Sequence, residues 1–377
     1  MKLIDRNNCP ITNNSSMELL YSFKKFPLQM GCVNTPRKKD VLVDMSWFIE
    51  KKYGIIQLNP LVPLEKLYEK SHGSGTVGKL WEQHHKNFAK FISSFKLKKL
   101  IEIGAGHGQL IKNYLKVVPD SNWTVVEPNP KIKKDSRIKI YKSLFDENFK
   151  IEKKIDGIIH SHVIEHLYHP LSLLKNIHKK IDNNTLHIFS VPNLKIMLKK
   201  KYTNALNFEH TIFLDENLID ELLELTGFKI IKKKYFKIDH SIFYAAKKIK
   251  PHKKNLSKNY IFNKKIYSNY INFHLKLVKD INKKILNTNL DVYLFGAHVF
   301  SQYLINFGLN TSKIKCILDN DINKQNKRLY GTNFKVFSPK ILKKVKQGVV
   351  ILRSGVYNNE IKKDILENIN KNIIFWE

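Results

Sequence analysis

The chain has 377 residues, of which 42% are apolar, enough for two or three globular cores. It contains no run of about 18 apolar residues and no apolar signal region at its start, so we expect a cytoplasmic protein without a membrane span. The thiols of Cys9, Cys32 and Cys316 are too few and too scattered for a disulfide framework.

The formal net charge of +33 indicates an anionic partner, but the composition argues against nucleic acid as the main one. Arginine is the side chain that binds phosphates and bases bidentately, and nearly all of the 66 basic residues are lysines spread along the chain. We therefore expect the basic surface to attract a small anionic molecule rather than a nucleic acid.

The first 70 residues contain short apolar pieces between Pro and Asn turns and predict a small, loop-rich β module. A Ser/Gly-rich segment follows at 71–78, and apolar side chains at helical spacing then predict an amphipathic helix over 79–92. This helix carries His84 and His85. Either histidine could reach a substrate, or each could be a partner-bonded histidine on an ordinary helix.

The most informative stretch lies between residues 97 and 127. An apolar run predicts a buried strand that ends in the pattern Glu-x-Gly-x-Gly-x-Gly over 102–108, followed by a helix over 109–117. The glycines let the backbone approach a ligand closely, and a second predicted strand ends in Glu127, placed to accept two ribose hydroxyls. A tight turn that binds nothing would explain the glycines but not the acids at both strand ends.

This pattern resembles motif I of class I S-adenosylmethionine (SAM) methyltransferases. The resemblance implies that Glu102 faces the methionine end of the cofactor and that Glu127 binds its ribose. The full set of cofactor-binding residues that it implies is Glu102, Gly104, Ala105, Gly106, Gly108, Glu127, Pro128 and His162.

Further strands are predicted over 138–141 and 155–160, and the second of these ends in the string His-Val-Ile-Glu-His-Leu at 162–167, which is frequent after the fourth strand in that family. Because ligands bind at the carboxyl ends of parallel strands, this turn should line the methyl-transfer site, with His166 as a substrate contact. His162 and His166 also have a spacing that helices use for zinc. The sequence places no third ligand, and the family uses this turn without metal, so we expect no metal ion here.

After a helix (170–181), a strand (185–192) and a Lys-rich wall (193–206), the chain reads Asn-x-Glu-His over 207–210. Sugar C-methyltransferases have Tyr-x-Glu-His at this place, and the resemblance implies that His210 is a general base oriented by Glu209. Asn207 replaces the tyrosine and is a further candidate substrate contact. The structural alternative is that His210 anchors this loop.

An antiparallel pair is predicted over 227–247, then a long connecting helix and a second α/β unit. The Phe-Gly-Ala at 295–297 and the Leu-Asp-Asn-Asp at 318–321 resemble the C-terminal Rossmann-like domain of bacterial sugar C-methyltransferases. The N-terminal pieces resemble the zinc module of the same family, in which two Cys-x-x-Cys pairs hold the metal. Only Cys9 remains of those pairs, so we expect no zinc.

The predicted fold class is therefore α/β, with a central class I methyltransferase sheet, an N-terminal β-rich module and a C-terminal Rossmann-like unit. The predicted boundaries are 1–70, 71–248, 249–287 (a helical connector) and 288–377. The predicted function is SAM-dependent C-methylation of a small, nucleotide-linked keto-sugar in capsule or related polysaccharide biosynthesis. An O-methyltransferase of a sugar or other polysaccharide building block and an RNA methyltransferase are the alternatives, and the sequence does not indicate an oligomeric state.

Overall fold

The computed structural model describes residues 1–67, 78–151, 154–252 and 254–377. The predicted Ser/Gly-rich segment and the predicted boundary at residue 70 lie outside the described residues, apart from Gly78. The described strands, in chain order, are β1 (Met17–Pro27), β2 (Cys32–Val33), β3 (Leu42–Glu50), β4 (Ile56–Leu58), β5 (Lys99–Ile103), β6 (Asn122–Val126), β7 (Ile138–Tyr141), β8 (Gly157–Ser161), β9 (Leu186–Pro192), β10 (Phe228–Phe236), β11 (Ser241–Lys248), β12 (Asp291–Phe295), β13 (Ile314–Leu318), β14 (Arg328–Leu329), β15 (Val336–Phe337), β16 (Gly348–Leu352) and β17 (Ile373–Trp376). The described α-helices are α1 (Leu64–Leu67), α2 (Lys79–Ser93), α3 (Gln109–Leu115), α4 (Pro170–Lys180), α5 (Leu194–Lys199), α6 (Glu216–Leu225), α7 (Tyr260–Asn287), α8 (Val299–Asn306) and α9 (Asn358–Asp364).

The central sheet has seven strands in the order β10-β11-β9-β8-β5-β6-β7. Strands β5 to β9 pair in parallel, and β11 joins antiparallel to β9. The apolar run of β5 is buried on both faces, as expected of an inner strand covered by helices on each side. The order reverses direction at β5, so the loops after β5, β6 and β8 meet at one edge of the sheet, and the predicted α/β fold class is confirmed.

A second, wholly parallel sheet lies near the C-terminus, in the order β15-β13-β12-β16-β17. It is joined to the central sheet by the 28-residue helix α7. The N-terminal sheet is antiparallel, in the order β1-β3-β4, with register shifts in β1.

One large apolar core joins the N-terminal sheet, α7, the C-terminal sheet and the wall that follows β9. Phe23, Trp47, Leu198, Tyr267 and Leu294 are fully or almost fully buried members of this core. Because these side chains come from every predicted unit, the N-terminal module and the C-terminal sheet form one packed body around the wall. The predicted domain boundaries stay predictions.

A carboxylate stands where the resembled zinc module would have its second pair of cysteines. Glu50 is fully buried and accepts hydrogen bonds from the side-chain amide of Asn14 and from the backbone amides of Lys52 and Tyr53. Cys9 is the single thiol of the neighbouring turn. These groups do not fit a tetrahedral zinc site, because one thiol is present and the carboxylate is already bonded on both oxygens.

Among the described residues, no helix combines the length and apolarity needed to cross a bilayer.

Candidate active site

The turn between β5 and α3 is built from three glycines in the left-handed region. Gly104, Gly106 and Gly108 have φ values of 73°, 52° and 67°, which other residues rarely adopt. A Cβ on Gly104 would lie 2.7 Å from the side chain of Val163, in the turn after β8. Nothing lies within 4 Å of the corresponding position on Gly106. The loop is therefore tight against the neighbouring turn at Gly104 and open at Gly106.

Glu102, next to last in β5, is a buried carboxylate at the base of this loop. Its side chain is 3% exposed, and its Oε2 accepts no hydrogen bond from any described residue. Burial, with a smaller contribution from the charge of Glu127, raises the pKa of Glu102 to about 8. A buried acid without a partner fits a ligand that brings a positive charge, as the ammonium group of SAM does.

Glu127 follows β6 and is partly exposed, with its carboxylate turned back over the glycine loop. Oε2 accepts from the backbone amide of Gly106 at 3.3 Å, and Oε1 accepts from that of Asn129 at 2.9 Å. Ala105 lies inside the same loop, and Pro128 is exposed beside the acid. The structure therefore brings together the predicted cofactor residues of the first two strands at one edge of the sheet.

His162, the last predicted cofactor residue, belongs to a histidine cluster beside this loop. Its Nε2 lies 2.9 Å from the hydroxyl of Ser241, and His240 lies 2.6 Å from the same hydroxyl. His84 is fully buried, with its Nε2 2.9 Å from the hydroxyl of Ser190. Burial lowers the pKa of both His162 and His240 to about 3, so these imidazoles are neutral.

The ring of Trp81, on α2, packs edge-on against His84, His162 and His240. His85 is the next residue on the helix, and burial lowers its pKa to about 4. Neither ring nitrogen of His85 has a hydrogen-bond partner among the described residues. Helix α2 thus places His84 in a hydrogen bond with Ser190, whereas His85 makes no hydrogen bond with a described residue.

The turn after β8 carries a second group of ionisable side chains, centred on Glu165. This residue is 1% exposed, and its Oε1 lies 3.1 Å from Nδ1 of His162. Burial raises the pKa of Glu165 to about 7, against the opposing influence of His210. The rings of His166 and His210 meet edge-on with their centroids 4.9 Å apart. The predicted pair of His162 and His166 is therefore divided between two clusters.

The loop that bears His210 is held by its own backbone and not by the predicted carboxylate. Nδ1 of His210 donates to the carbonyl of Ala205 at 2.9 Å. Glu209 instead faces His166, with Oε2 3.7 Å from Nδ1. Asn207 is buried, and its Oδ1 accepts from the backbone amides of Glu209 and His210, so that oxygen shapes the loop.

Comparison with known proteins gives one family match. Residues 78–233 match the family model described as a methyltransferase domain. This match begins just before α2 and ends within β10, so it includes the glycine loop, Glu102, Glu127 and the loop that carries His210. No curated protein matches the chain.

Two solved methyltransferase structures resemble this chain in part. Mitomycin 7-O-methyltransferase is 16% identical, with a TM-score of 0.39, over 49% of this chain and 57% of its own. The chain therefore spans little more than half the length of that protein. The 1,6-didemethyltoxoflavin-N1-methyltransferase of Burkholderia thailandensis, bound to S-adenosylhomocysteine, is 15% identical, with a TM-score of 0.42, over 52% of this chain and 95% of its own. These similarities are too low to indicate a substrate.

Backbone hydrogen bonds join the N-terminal module to the loop that carries His210. The backbone amide of Leu58, in β4, donates to the carbonyl of Thr211 at 2.9 Å, and the amide of Phe213 donates to the carbonyl of Ile56 at 2.9 Å. The loop thereby pairs with the edge of the N-terminal sheet. The module therefore fixes the backbone that follows His210, at Thr211 and Phe213.

Arg6 reinforces this junction, and the sequence analysis did not identify it. The side chain is 7% exposed and donates to the carbonyl and hydroxyl oxygens of Thr211 at 3.2 Å each and to the carbonyl of Tyr168 at 3.3 Å. Burial lowers the pKa of Arg6 to about 10. Arginine is rare in this lysine-rich chain, and that rarity was the available signal for a fixed bidentate role.

A cleft of about 300 Å³ lies between the methyltransferase domain and the C-terminal unit. Its lining includes Lys200, Lys237 and His240 from the domain and the turn and helix at 355–360 from the C-terminal unit. Because His240 belongs to the cluster beside the glycine loop, the cleft opens next to the cofactor side of the site.

Proposed function

We propose that the protein transfers the methyl group of SAM to a small, sugar-derived and nucleotide-activated acceptor in capsule or related polysaccharide biosynthesis. The first candidate for the methylated atom is a carbon next to a ketone. The observation that carries this proposal is the fixed orientation of His210. Since Nδ1 donates to the Ala205 carbonyl, the lone pair of the neutral ring lies on Nε2, where a base needs it.

In this reaction His210 removes a proton from the carbon beside the ketone. The resulting enolate carbon forms a bond to the methyl carbon, the bond from that carbon to sulfur breaks, and its electron pair stays on sulfur. Burial lowers the pKa of His210, whereas the carboxylate of Glu165 favours its protonated form and so stabilises the imidazolium. General-base catalysis of this kind contributes about 10²–10⁴-fold in rate.

The cleft supports an acceptor larger than a bare sugar. Its volume of about 300 Å³ is near the lower end of ligand pockets. Lys237 lines it and offers positive charge to a phosphate-bearing substituent, whereas Lys200 is paired with Asp239 of the same lining at 2.7 Å. The sugar would reach the methyl-transfer site while its nucleotide part occupies the cleft.

Methylation of a hydroxyl oxygen is the second candidate. It is favoured by the packing of Glu209 against His166 rather than His210 and by the loop-forming role of the Asn207 oxygen, because both depart from the arrangement that the resemblance implies. An oxygen acceptor loses its proton more readily than a carbon does, so it needs less of a dedicated base.

The test is methyl transfer from isotopically labelled SAM to nucleotide-linked sugars, half of them 4-keto sugars and half fully hydroxylated. Label on carbon of a keto-sugar supports the first candidate, and label only on hydroxylated sugars supports the second. The variant His210→Ala should lose about 10²–10⁴-fold in turnover while its SAM affinity stays unchanged. If SAM binds but no sugar is labelled, the substrate class is wrong.

A further inference from the structure

Glu165, His166 and His210 converge on one point. One ligand atom from each, an imidazole nitrogen or a carboxylate oxygen, lies within 4.8 Å of the other two. Two imidazoles and one carboxylate are a donor set that suits divalent first-row metals, and three protein ligands leave positions open for a substrate. The group lies on the turn after β8 and on the loop paired with β4, at the predicted methyl-transfer site.

Glu165 is the residue that requires an explanation. Its side chain is 1% exposed, and neither carboxylate oxygen makes a hydrogen bond with a described residue. Oε1 lies 3.1 Å from Nδ1 of His162. Burying a carboxylate without hydrogen bonds is unfavourable, because the charge loses its hydration. A cation between Glu165 and the two histidines would offset this cost.

Both histidines are also held in the way that metal-binding histidines are. His210 donates Nδ1–H to the carbonyl of Ala205, and His166 has Nδ1 3.7 Å from Oε2 of Glu209. Metal-ligating imidazoles typically direct one ring nitrogen to a carbonyl or carboxylate, which fixes the other toward the ion. His210 thus has a hydrogen-bonded outer partner of this kind, and His166 has a carboxylate near one ring nitrogen.

The second histidine cluster provides the contrast. His84, His162 and His240 also bring three ring nitrogens within 4.8 Å of one another. Their nitrogens already bond to the hydroxyls of Ser190 and Ser241. An ion there would have to displace those bonds and would gain no carboxylate, so that cluster carries no metal proposal.

We propose that Glu165, His166 and His210 bind a divalent transition-metal ion that also binds an oxygen of the acceptor. The inference rests on the proposed methyl transfer and selects its second candidate, because a metal-bound His210 has no lone pair left to act as a base. The ion lowers the pKa of a coordinated hydroxyl, whose proton leaves to solvent. The oxygen then forms a bond to the methyl carbon, and the carbon–sulfur bond breaks with its electron pair on sulfur.

The experiment uses Co²⁺ as the probe, because its visible absorption reports both binding and coordination geometry. The tag-free, chelator-treated full-length protein is titrated with Co²⁺, and Zn²⁺ is then added as a competitor. We expect one Co²⁺ per chain, displaced by Zn²⁺. Loss of an outer-shell partner costs about 10–100-fold in metal affinity, so Glu165→Gln and His166→Gln, which remove ligands, should each cost about a hundredfold or more.

Two control variants locate the site. His169→Gln changes an exposed histidine three residues from His166, and His240→Gln changes the serine-bonded cluster. Both should bind Co²⁺ as the wild type does. The proposal is overturned if the wild type binds no stoichiometric Co²⁺, if Glu165→Gln and His166→Gln retain it, or if only His240→Gln loses it.

Two further measurements separate this inference from the proposed function. If chelator-treated protein transfers label from SAM to a sugar as fast as the Co²⁺-loaded protein, the metal inference fails and the proposed function stands. If Co²⁺ binds as expected and no sugar is labelled by either form, the metal site stands and the substrate proposal fails.

Discussion

The central and C-terminal sheets build the same strand–loop–helix–strand unit but treat their carboxylates differently. In both, the first residue of the loop is a glycine whose amide donates to the end of the second strand: Gly104 to the carbonyl of Val126 at 3.0 Å, and Gly296 to that of Leu318 at 2.8 Å. An acid follows the second strand in each case. The backbone frame is therefore shared, and only side chains distinguish the two units.

The two units differ in the residue near the end of the first strand and in the burial of the acid after the second. Where β5 has Glu102, β12 has the fully buried Leu294. Asp319, the counterpart of Glu127, is 8% exposed and accepts from the amide of Ala297 at 2.8 Å and from Lys324 at 3.1 Å. The open position of Gly106 corresponds to His298. A Rossmann-like frame is thus not itself a cofactor site, since the polar groups left without partners decide where a ligand binds.

The sharpest way to break this comparison is to remove the second-strand acid from each unit. Glu127→Ala should weaken SAM binding by about a hundredfold or more, because two hydrogen bonds from ribose hydroxyls to a carboxylate contribute about 1.5–3 kcal/mol each. The matched variant Asp319→Ala should leave the SAM dissociation constant unchanged, as measured by titration calorimetry. Equal effects of the two variants, or an unchanged affinity in Glu127→Ala, would show that the cofactor register is wrong.

A second test uses the pH dependence of stability that Glu102 imposes. The folded-state pKa of about 8 lies above the value of about 4.3 for an unfolded glutamate. Between these values the folded state keeps a proton that the unfolded state has lost, so stability falls as pH rises and the full cost is reached above pH 8. Glu102→Gln should therefore stabilise the ligand-free protein at pH 9 by on the order of a few kcal/mol, with the gain shrinking toward pH 5, while SAM binding weakens.

Urea unfolding of wild type and variant between pH 5 and pH 9 measures this effect. Glu82→Gln, at an exposed position on α2, is the control and should show no such trend. A gain in stability that is the same at all pH values would mean that Glu102 is not the titrating group.

A third test concerns Glu50, a buried carboxylate whose hydrogen-bond donors all belong to the N-terminal module. Glu50 accepts three hydrogen bonds in the N-terminal module, so Glu50→Gln should lose bonds and gain no ligand-related benefit. We expect a loss of about 1–3 kcal/mol in the free energy of unfolding, seen as a lower urea midpoint, with unchanged SAM affinity. An increase in stability would mean that Glu50, like Glu102, is a buried acid that destabilises the fold.

The smallest expected effect is that of Arg6→Ala. Losing its bonds to Thr211 and Tyr168 should loosen the loop beside His210 and lower kcat about tenfold, which corresponds to about 1.4 kcal/mol, with little change in SAM affinity. Arg37→Ala, at an exposed position, is the control and should keep full turnover. If Arg6→Ala changes SAM affinity instead of kcat, Arg6 supports the cofactor site and not the loop beside His210.

The sequence predicted what local pattern determines. The strand before residue 104, the glycine turn and the acid after β6 all lie between residues 99 and 127, and their spacing alone fixes their positions on the sheet edge. It did not predict which group holds His210, because packing selects the backbone carbonyl of Ala205 over the adjacent carboxylate of Glu209. Nor did it separate His162 from His166, since that depends on contacts with α2 and β11 from distant parts of the chain.

The two backbone hydrogen bonds from β4 to the loop at 211–213 have a consequence for anyone who trims this protein to a minimal catalytic unit. A fragment cut at 78–248, from just before α2 to the end of β11, would keep the whole central sheet with the glycine loop, Glu102 and Glu127, yet it would lack the strand that holds the His210 loop in register. Such a fragment should bind SAM and transfer nothing. The N-terminal module therefore contributes to the central sheet's loop region through strand pairing, by holding the backbone that follows His210.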